Sequence, residues 1–369
     1  MRLPSHPDAH STPADCAACR ASIRHGSHSF HLASLLLPVS IREPSYAVYA
    51  FCRMADDLID REEGGSGAID ALGLMLDRIY DGRPAAHFVE RGFADVVHRF
   101  AIPRAVPDAL IEGLSWDADG RRYETLADLT AYAVRVAGTV GFMMTLVMGN
   151  REPRVLARAC DLGVAMQLTN IARDIGEDAR NGRIYMPLEW LRHNGVDPDA
   201  WLDRPTGSPE ISSVVVRLLA EAERLYDRSL AGVAALPAGC RMGINTARLF
   251  YREIGREIVR GTDPVATRAV TTRKQKLRLL AEAAATRVPD HADRFAATIQ
   301  AADFLLAAVA STPAPSRVSE IPPWWDLGRR TERLVEMLAG FAARAAANET
   351  GAGARPFLFQ DQPERAARQ

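Results

Sequence analysis

Along most of this chain apolar residues recur every three to four positions with polar residues between them, the period of a helix that buries one face. Leu, Ala, Arg, Glu and Met dominate, and period-two runs of Val, Ile or Thr are few. The pattern predicts helices over approximately 15–37, 44–61, 69–81, 105–116, 125–149, 152–180, 209–235, 241–260, 272–286 and 291–309. The breaks carry turn chemistry: Pro38, the Gly-rich stretch 62–67, Asp117 to Gly120, Pro237 to Gly239, and Gly261 to Pro264. No repeat or shift in composition divides the region, so 15–310 reads as one all-α domain. Residues 1–14 read as a frayed, disordered lead without the apolar core of a signal peptide. Ser311 to Pro323 reads as a linker, and Trp324 to Ala347 as an amphipathic helix with Leu327, Leu334, Leu338 and Phe341 on one side. The tail beyond Asn348 is polar.

Composition adds bounds to this picture. The 369 residues are 47% hydrophobic and 25% charged, enough apolar material for a large core, with a net charge of −1. That balance argues against a nucleic-acid partner held by broad phosphate neutralisation. Of 45 basic residues only Lys274 and Lys276 are lysines, an arginine bias that reads as compositional. Five cysteines in a chain this long exclude a disulfide-stapled scaffold and suit a reducing, cytoplasmic compartment. The longest apolar run, Val136 to Met148, is shorter than the ~20 residues that cross a bilayer.

Two acid clusters stand out. Asp56 and Asp60 are four residues apart, so on a helix they project from one face a turn apart, with Arg53 on that face too. Such a pair is either a solvated helix end or a cation site. The second cluster tips the balance, because Gln167, Asn170, Asp174 and Asp178 share one face of a helix whose other positions include Val164, Leu168, Ile171 and Ile175. A polar stripe in that setting lines an internal cavity, where carboxylates need partners. With two lysines in the chain, the partners are arginine or metal. Oxygen ligands without histidine favour a hard cation such as Mg²⁺, which takes one or two carboxylates and completes its shell with water and phosphate oxygens. The apolar stretches 34–38 and 141–149 supply greasy walls beside this rim. A metal–diphosphate head over a long apolar pocket describes a prenyl diphosphate site.

Two other patterns weigh less. His25, His28 and His31 could suggest zinc, but three-residue spacing walks around a helix and no fourth ligand is evident, so packing or capping is preferred. Cys16 and Cys19 form a lone CxxC without a second pair.

The chain resembles the squalene and phytoene synthase family, most closely its bacterial phytoene-forming members. The match is carried by SHSFHLASLLLP at 27–38, YAFCRMADDLID at 49–60, VAGTVG at 136–141, QLTNIARDIGEDARNGRIYMP at 167–187 and, more weakly, ARLFYREI at 247–254 continuing to Arg268. The resemblance implies an isoprenoid-synthase helical bundle around a central apolar cavity. It implies head-to-head condensation of two geranylgeranyl diphosphates to phytoene through a cyclopropyl diphosphate, closed by proton loss without NADPH. Farnesyl diphosphate, with squalene or dehydrosqualene as product, is the alternative. A non-catalytic assembly factor is a third reading, which the two complete acid clusters disfavour.

Carried over by position, Asp56, Asp60, Asp174 and Asp178 would bind Mg²⁺ or Mn²⁺, with Asn170 as a ligand and Gln167 in support. Asp57 and Glu177 are weaker candidates. Ser27, Arg53, Arg173, Tyr251 and Arg268 would hold diphosphate oxygens. Tyr132 and Tyr185 would sit by the reacting carbons, and Phe30 would wall the tunnel. Peripheral membrane contact, with Trp324 and Trp325 as anchors, and hand-over to a carotenoid desaturase are further expectations, although packing of that segment on the bundle is the preferred reading. One departure is visible: Tyr132-Ala-Val-Arg135 is poorer in aromatic residues than this block commonly is in the family, and Arg135 puts the polarity of that wall in question.

Overall fold

A long, largely apolar helix at residues 153–180 organises the molecule, and the other elements are arranged around it. The computed structural model describes residues 9–61, 65–261, 263–285 and 292–315. Among the described residues there is no strand. In order the helices are α1 (Pro13–Gly26), α2 (His28–Ser34), α3 (Val39–Arg61), α4 (Gly65–Tyr80), α5 (Phe88–Phe100), α6 (Ala105–Ala118), α7 (Leu126–Ala133) and α8 (Thr139–Val147). There follow α9 (Pro153–Arg180), α10 (Leu188–His193), α11 (Pro198–Asp203), α12 (Pro209–Ala235), α13 (Ala238–Arg260), α14 (Arg273–Ala285) and α15 (Asp303–Ser311). Most of α9 is buried, with α7, α8, α12, α13 and α15 packed on it, while α3 packs on α1, α5, α6 and α8.

Several predicted boundaries change. The block 15–37 is two helices, because Ser27 adopts extended backbone and its hydroxyl accepts the Phe30 N–H as the N-cap of α2. That break also places His25 and His28 on different helices. The 125–149 block runs through a π-helical turn, Val134–Gly138, which shifts the face that the following residues present. The π turn clarifies Arg135, which leaves the tyrosine wall to pair with Glu112 at 2.9 Å and lie over the Trp116 ring at 4.4 Å. Helices α5, α10 and α11 fall outside the predicted blocks. In α5 the buried positions Val89, Phe93, Val96, Val97 and Phe100 keep the helical period, but Gly92 and three valines lower its intrinsic propensity.

The lead is shorter than predicted. His10 and Ser11 donate backbone N–H groups to Asp95 at 2.8 and 3.0 Å, and Thr12 and Asp15 form a capping box that starts α1 at Pro13. Residues 1–8 and the predicted C-terminal helix, with Trp324 and Trp325, lie outside the described residues. One continuous helical run, Leu126–Val147, is long and apolar enough to cross a membrane, yet 67% of its most apolar window is buried inside the bundle. Its apolarity is that of a core element.

Candidate active site

Two chambers lie end to end inside the bundle, between α3 on one side and α9 on the other. The first is apolar and is lined by Phe30, Leu37, Val48, Met144, Leu162 and Met166 among others. The second is polar. From the acid helices it takes Asp56, Gln167, Asn170, Asp174 and Asp178, and from elsewhere Asp117, Tyr132, Arg183 and Tyr185. The chambers occupy neighbouring turns of the same walls: Cys52 lines one and Asp56 the other, as do Ala137 and Val136, and Met166 and Gln167.

Two glycines allow this closeness. A Cβ on Gly163 of α9 would collide with the Ala137 carbonyl oxygen of the π turn, so glycine lets those walls touch. A Cβ on Gly176, between the two acids of α9, would collide with the Val265 carbonyl oxygen. Glycine there admits the 263–268 loop, which swings Arg268 onto Asp174.

The electrostatics of α9 follow from that loop. Arg173 grips Asp174 through two hydrogen bonds of 2.9 and 2.6 Å, and the Arg268 Nε–H donates to the same carboxylate at 2.7 Å. Burial pushes the Asp174 carboxyl up, but the two guanidiniums outweigh it and hold it below the usual carboxylate range. Asp178, one turn on, is raised well above that range by burial and then by the Asp174 charge, with Arg183 opposing the rise. Among the described residues, Asp178 Oδ1 and Gln167 Oε1 are buried acceptors that receive no hydrogen bond. A buried oxygen acceptor without a donor is costly unless a cation meets it, and such oxygens fit a hard ion.

No group of three His, Cys, Asp or Glu side chains among the described residues converges on a single point.

The first acid cluster is arranged differently. Asp56 is half-buried and faces the polar chamber, whereas Asp57 is paired with Arg53 at 2.7 Å. Asp60 lies one turn further on α3, with a side chain outside the described residues. Ser27 is fully buried at its helix cap. Phe30 stacks on Tyr251 with centroids 5.0 Å apart, and Tyr251 is near enough to Arg173, Asp174 and Arg268 to feel their charges.

The tyrosines converge from distant parts of the chain. Tyr132 and Tyr185 stack with centroids 5.4 Å apart, and Tyr123 adjoins both rings. The Leu188 N–H to Tyr123 carbonyl bond, at 3.0 Å, pins the Tyr185 segment against the stretch that leads into α7. Both phenols donate to Asp117, Tyr132 to Oδ2 and Tyr185 to Oδ1, each at 2.7 Å. Asp117 is a site residue that sequence reasoning assigns to a turn, since AspAlaAspGly ends α6 as turn chemistry does. Arg183 is likewise missed, although it lies inside the 167–187 block.

Comparison with known proteins gives concordant findings. Residues 23–279 match the family model described as squalene/phytoene synthase. The chain is 53% identical over 275 residues to a phytoene synthase of Cereibacter sphaeroides, covering 72% of this chain and 78% of that protein. It is 49% identical over 276 residues to a phytoene synthase of Rhodobacter capsulatus, covering 73% and 81%. Among solved structures, a dehydrosqualene synthase in complex with a ligand superposes with a TM-score of 0.67 at 32% identity, covering 73% of this chain and 95% of that one. A squalene synthase from Alicyclobacillus acidocaldarius superposes with a TM-score of 0.63 at 26% identity, covering 69% and 97%.

Proposed function

Given that the chain belongs to the squalene/phytoene synthase family and is a prenyltransferase of the phytoene synthase type, we propose that it joins two geranylgeranyl diphosphates head to head. The first stage forms a cyclopropyl diphosphate with loss of one diphosphate and a proton, and the second expels the remaining diphosphate and rearranges the skeleton to phytoene with loss of a second proton. The observation that carries this reading is the shared wall: an apolar chamber for prenyl chains and a polar chamber for diphosphate occupy successive turns of the same helices.

In this reading Asp56, Asp60, Asn170, Asp174 and Asp178 hold Mg²⁺ or Mn²⁺, with Gln167 in support. The bound ion supplies Lewis acidity, drawing charge from the departing diphosphate. The buried acceptors Asp178 Oδ1 and Gln167 Oε1 support that assignment. Arg173 and Arg268 reach Asp174, and a guanidinium with five N–H donors serves a carboxylate and a diphosphate at once. Arg53, Ser27 and Tyr251 complete the diphosphate contacts. Phe30, stacked on Tyr251, stands where apolar wall meets polar rim. Tyr132 and Tyr185 turn aromatic rings toward the reacting carbons, where a cationic intermediate is favoured by a π face.

No NADPH is required by a sequence that closes with proton loss. Product passes to a downstream desaturase. The C-terminal segment with Trp324 and Trp325, to which membrane contact would fall, lies outside the described residues.

Product analysis tests the reading. Purified protein with Mg²⁺ is given geranylgeranyl or farnesyl diphosphate, with and without NADPH. A forty-carbon hydrocarbon from the first substrate, independent of NADPH and abolished by EDTA, is the expected result. A thirty-carbon product as the main turnover would assign the chain to the dehydrosqualene or squalene branch instead.

A further inference from the structure

Asp117 has no part in either acid cluster, yet it lines the polar chamber at the end of α6 and gathers two phenols that lie 15 and 68 residues away along the chain. We propose that Asp117 is a positioning residue for the cationic steps of the reaction, holding Tyr132 and Tyr185 so that their ring faces meet the cation and a proton it loses can pass to a phenol oxygen while that phenol's own proton passes to the Asp117 carboxylate. This rests on the function proposed above.

The argument is geometric. Each phenol has one proton, and each places it on a different oxygen of the Asp117 carboxylate at 2.7 Å. Two hydrogen bonds to a charged acceptor fix both oxygens and, through them, two rings 5.4 Å apart and 25° from parallel. Burial keeps both phenols in the neutral, proton-bearing form that this arrangement needs. With their protons committed, the two side chains present lone pairs and π faces to the chamber. Both are attractive to a carbocation, and neither competes for the diphosphate.

Without the carboxylate, a phenol O–H would seek the next acceptor in the same chamber, where Asp178, Asn170 and Gln167 stand. The ring would turn with it. An unguided cation then has time to stall at the cyclopropyl stage or be quenched early. Diphosphate binding depends on the acid and arginine clusters instead, so loss of Asp117 should lower kcat with little change in KM.

The test uses the full-length enzyme with geranylgeranyl diphosphate and Mg²⁺, reading kcat and KM for hydrocarbon formation, with farnesyl diphosphate substituted if that is the substrate used. Asp117→Asn keeps the shape but one acceptor oxygen, so one phenol loses its bond. The kcat is expected to fall about tenfold, the factor that follows from losing one hydrogen bond to a charged group, with KM changed by less than about threefold. Tyr185→Phe removes the acceptor oxygen together with its bond to the carboxylate, which should give a fall at least as large in the same direction. In a Tyr132→Phe, Tyr185→Phe background, Asp117→Asn should add nothing, because there are no phenols left to position.

An unchanged kcat in Asp117→Asn, or an equal fall with and without the phenols, would overturn the proposal. A further readout is independent of turnover: the tyrosine Raman doublet, which reports phenol donation, should shift in Asp117→Asn without substrate, and an unmoved doublet also overturns it. If the wild-type enzyme acts on neither diphosphate, the proposed function fails, while the doublet still decides whether Asp117 holds the phenols.

Discussion

Helix α9 carries two buried acids that look alike, Asp161 and Asp174, each approached by two arginines. Asp161 meets Arg158 at 2.7 Å and Arg228 at 3.3 Å. Asp174 meets Arg173 and Arg268 through three hydrogen bonds of 2.6 to 2.9 Å. Burial works against ionisation in both, and the outcomes are opposite: Asp161 is pushed up to about 6, while Asp174 is held below the ordinary range. The difference lies in the number and alignment of charge-assisted hydrogen bonds, which decides whether guanidiniums can offset desolvation.

Their surroundings complete the contrast. Arg158 donates to the carbonyls of Asp293, Ala296 and Ala297, so its cluster ties a chain segment down. The Asp174 cluster opens on a chamber that holds bare acceptor oxygens. The same residue types thus serve as a structural tie in one place and, in the proposed reading, as a diphosphate cradle in the other.

Variants that separate the clusters test this contrast. Asp174→Asn should lower turnover by on the order of a thousandfold, since it removes charge from the centre of the polar chamber. Radiolabelled substrate would measure it, and residual activity near the wild-type level would erase the distinction. Asp56→Asn, on the half-buried helix opposite, should cost on the order of a hundredfold and raise the Mg²⁺ concentration needed for half-maximal rate. A rate loss with an unaltered Mg²⁺ requirement would remove Asp56 from the metal site.

Arg158→Ala is expected to act on the fold. Urea denaturation should show a loss of roughly 2 kcal/mol, moderated because Arg228 stays beside Asp161. Stability equal to wild type would mean that this cluster ties nothing down.

The last test concerns pH. A carboxyl that is harder to ionise folded than unfolded contributes stability that is full below its unfolded pKa and is lost as pH rises through the folded value, about 6 for Asp161. Relative to Asp161→Asn, the wild type should therefore lose stability between about pH 4 and pH 7. Denaturation midpoints at several pH values would show it, and a constant difference would contradict the assigned direction.

Much of the architecture was legible in the chain because one period governs it. Helix α12 spans 209–235 as its apolar spacing predicts, and α9 differs from its predicted block by one residue at its start. The acid stripe on α9 was legible for the same reason, since Gln167, Asn170, Asp174 and Asp178 differ by steps of three and four. Asp117 was not legible: it belongs to a turn-like AspAlaAspGly, and the phenols that give it a role arrive from α7 and from the loop after α9. Arg135 was misleading for a comparable reason, because a π turn rather than an α turn decides where it points. Nothing near Asp161 in the sequence hints that Arg228 will meet it.

By itself, then, the sequence determined that helices form, which of their faces are apolar, and that two acid pairs sit one turn apart, since all of these depend on neighbours within a few residues. The tertiary structure decided which acids are clasped and which are left facing a chamber. It also decided which tyrosines share a carboxylate and that the greasy and polar pockets meet on common walls. Those outcomes depend on contacts between distant segments, where glycine at 163 and 176 sets the approach and burial magnifies every charge.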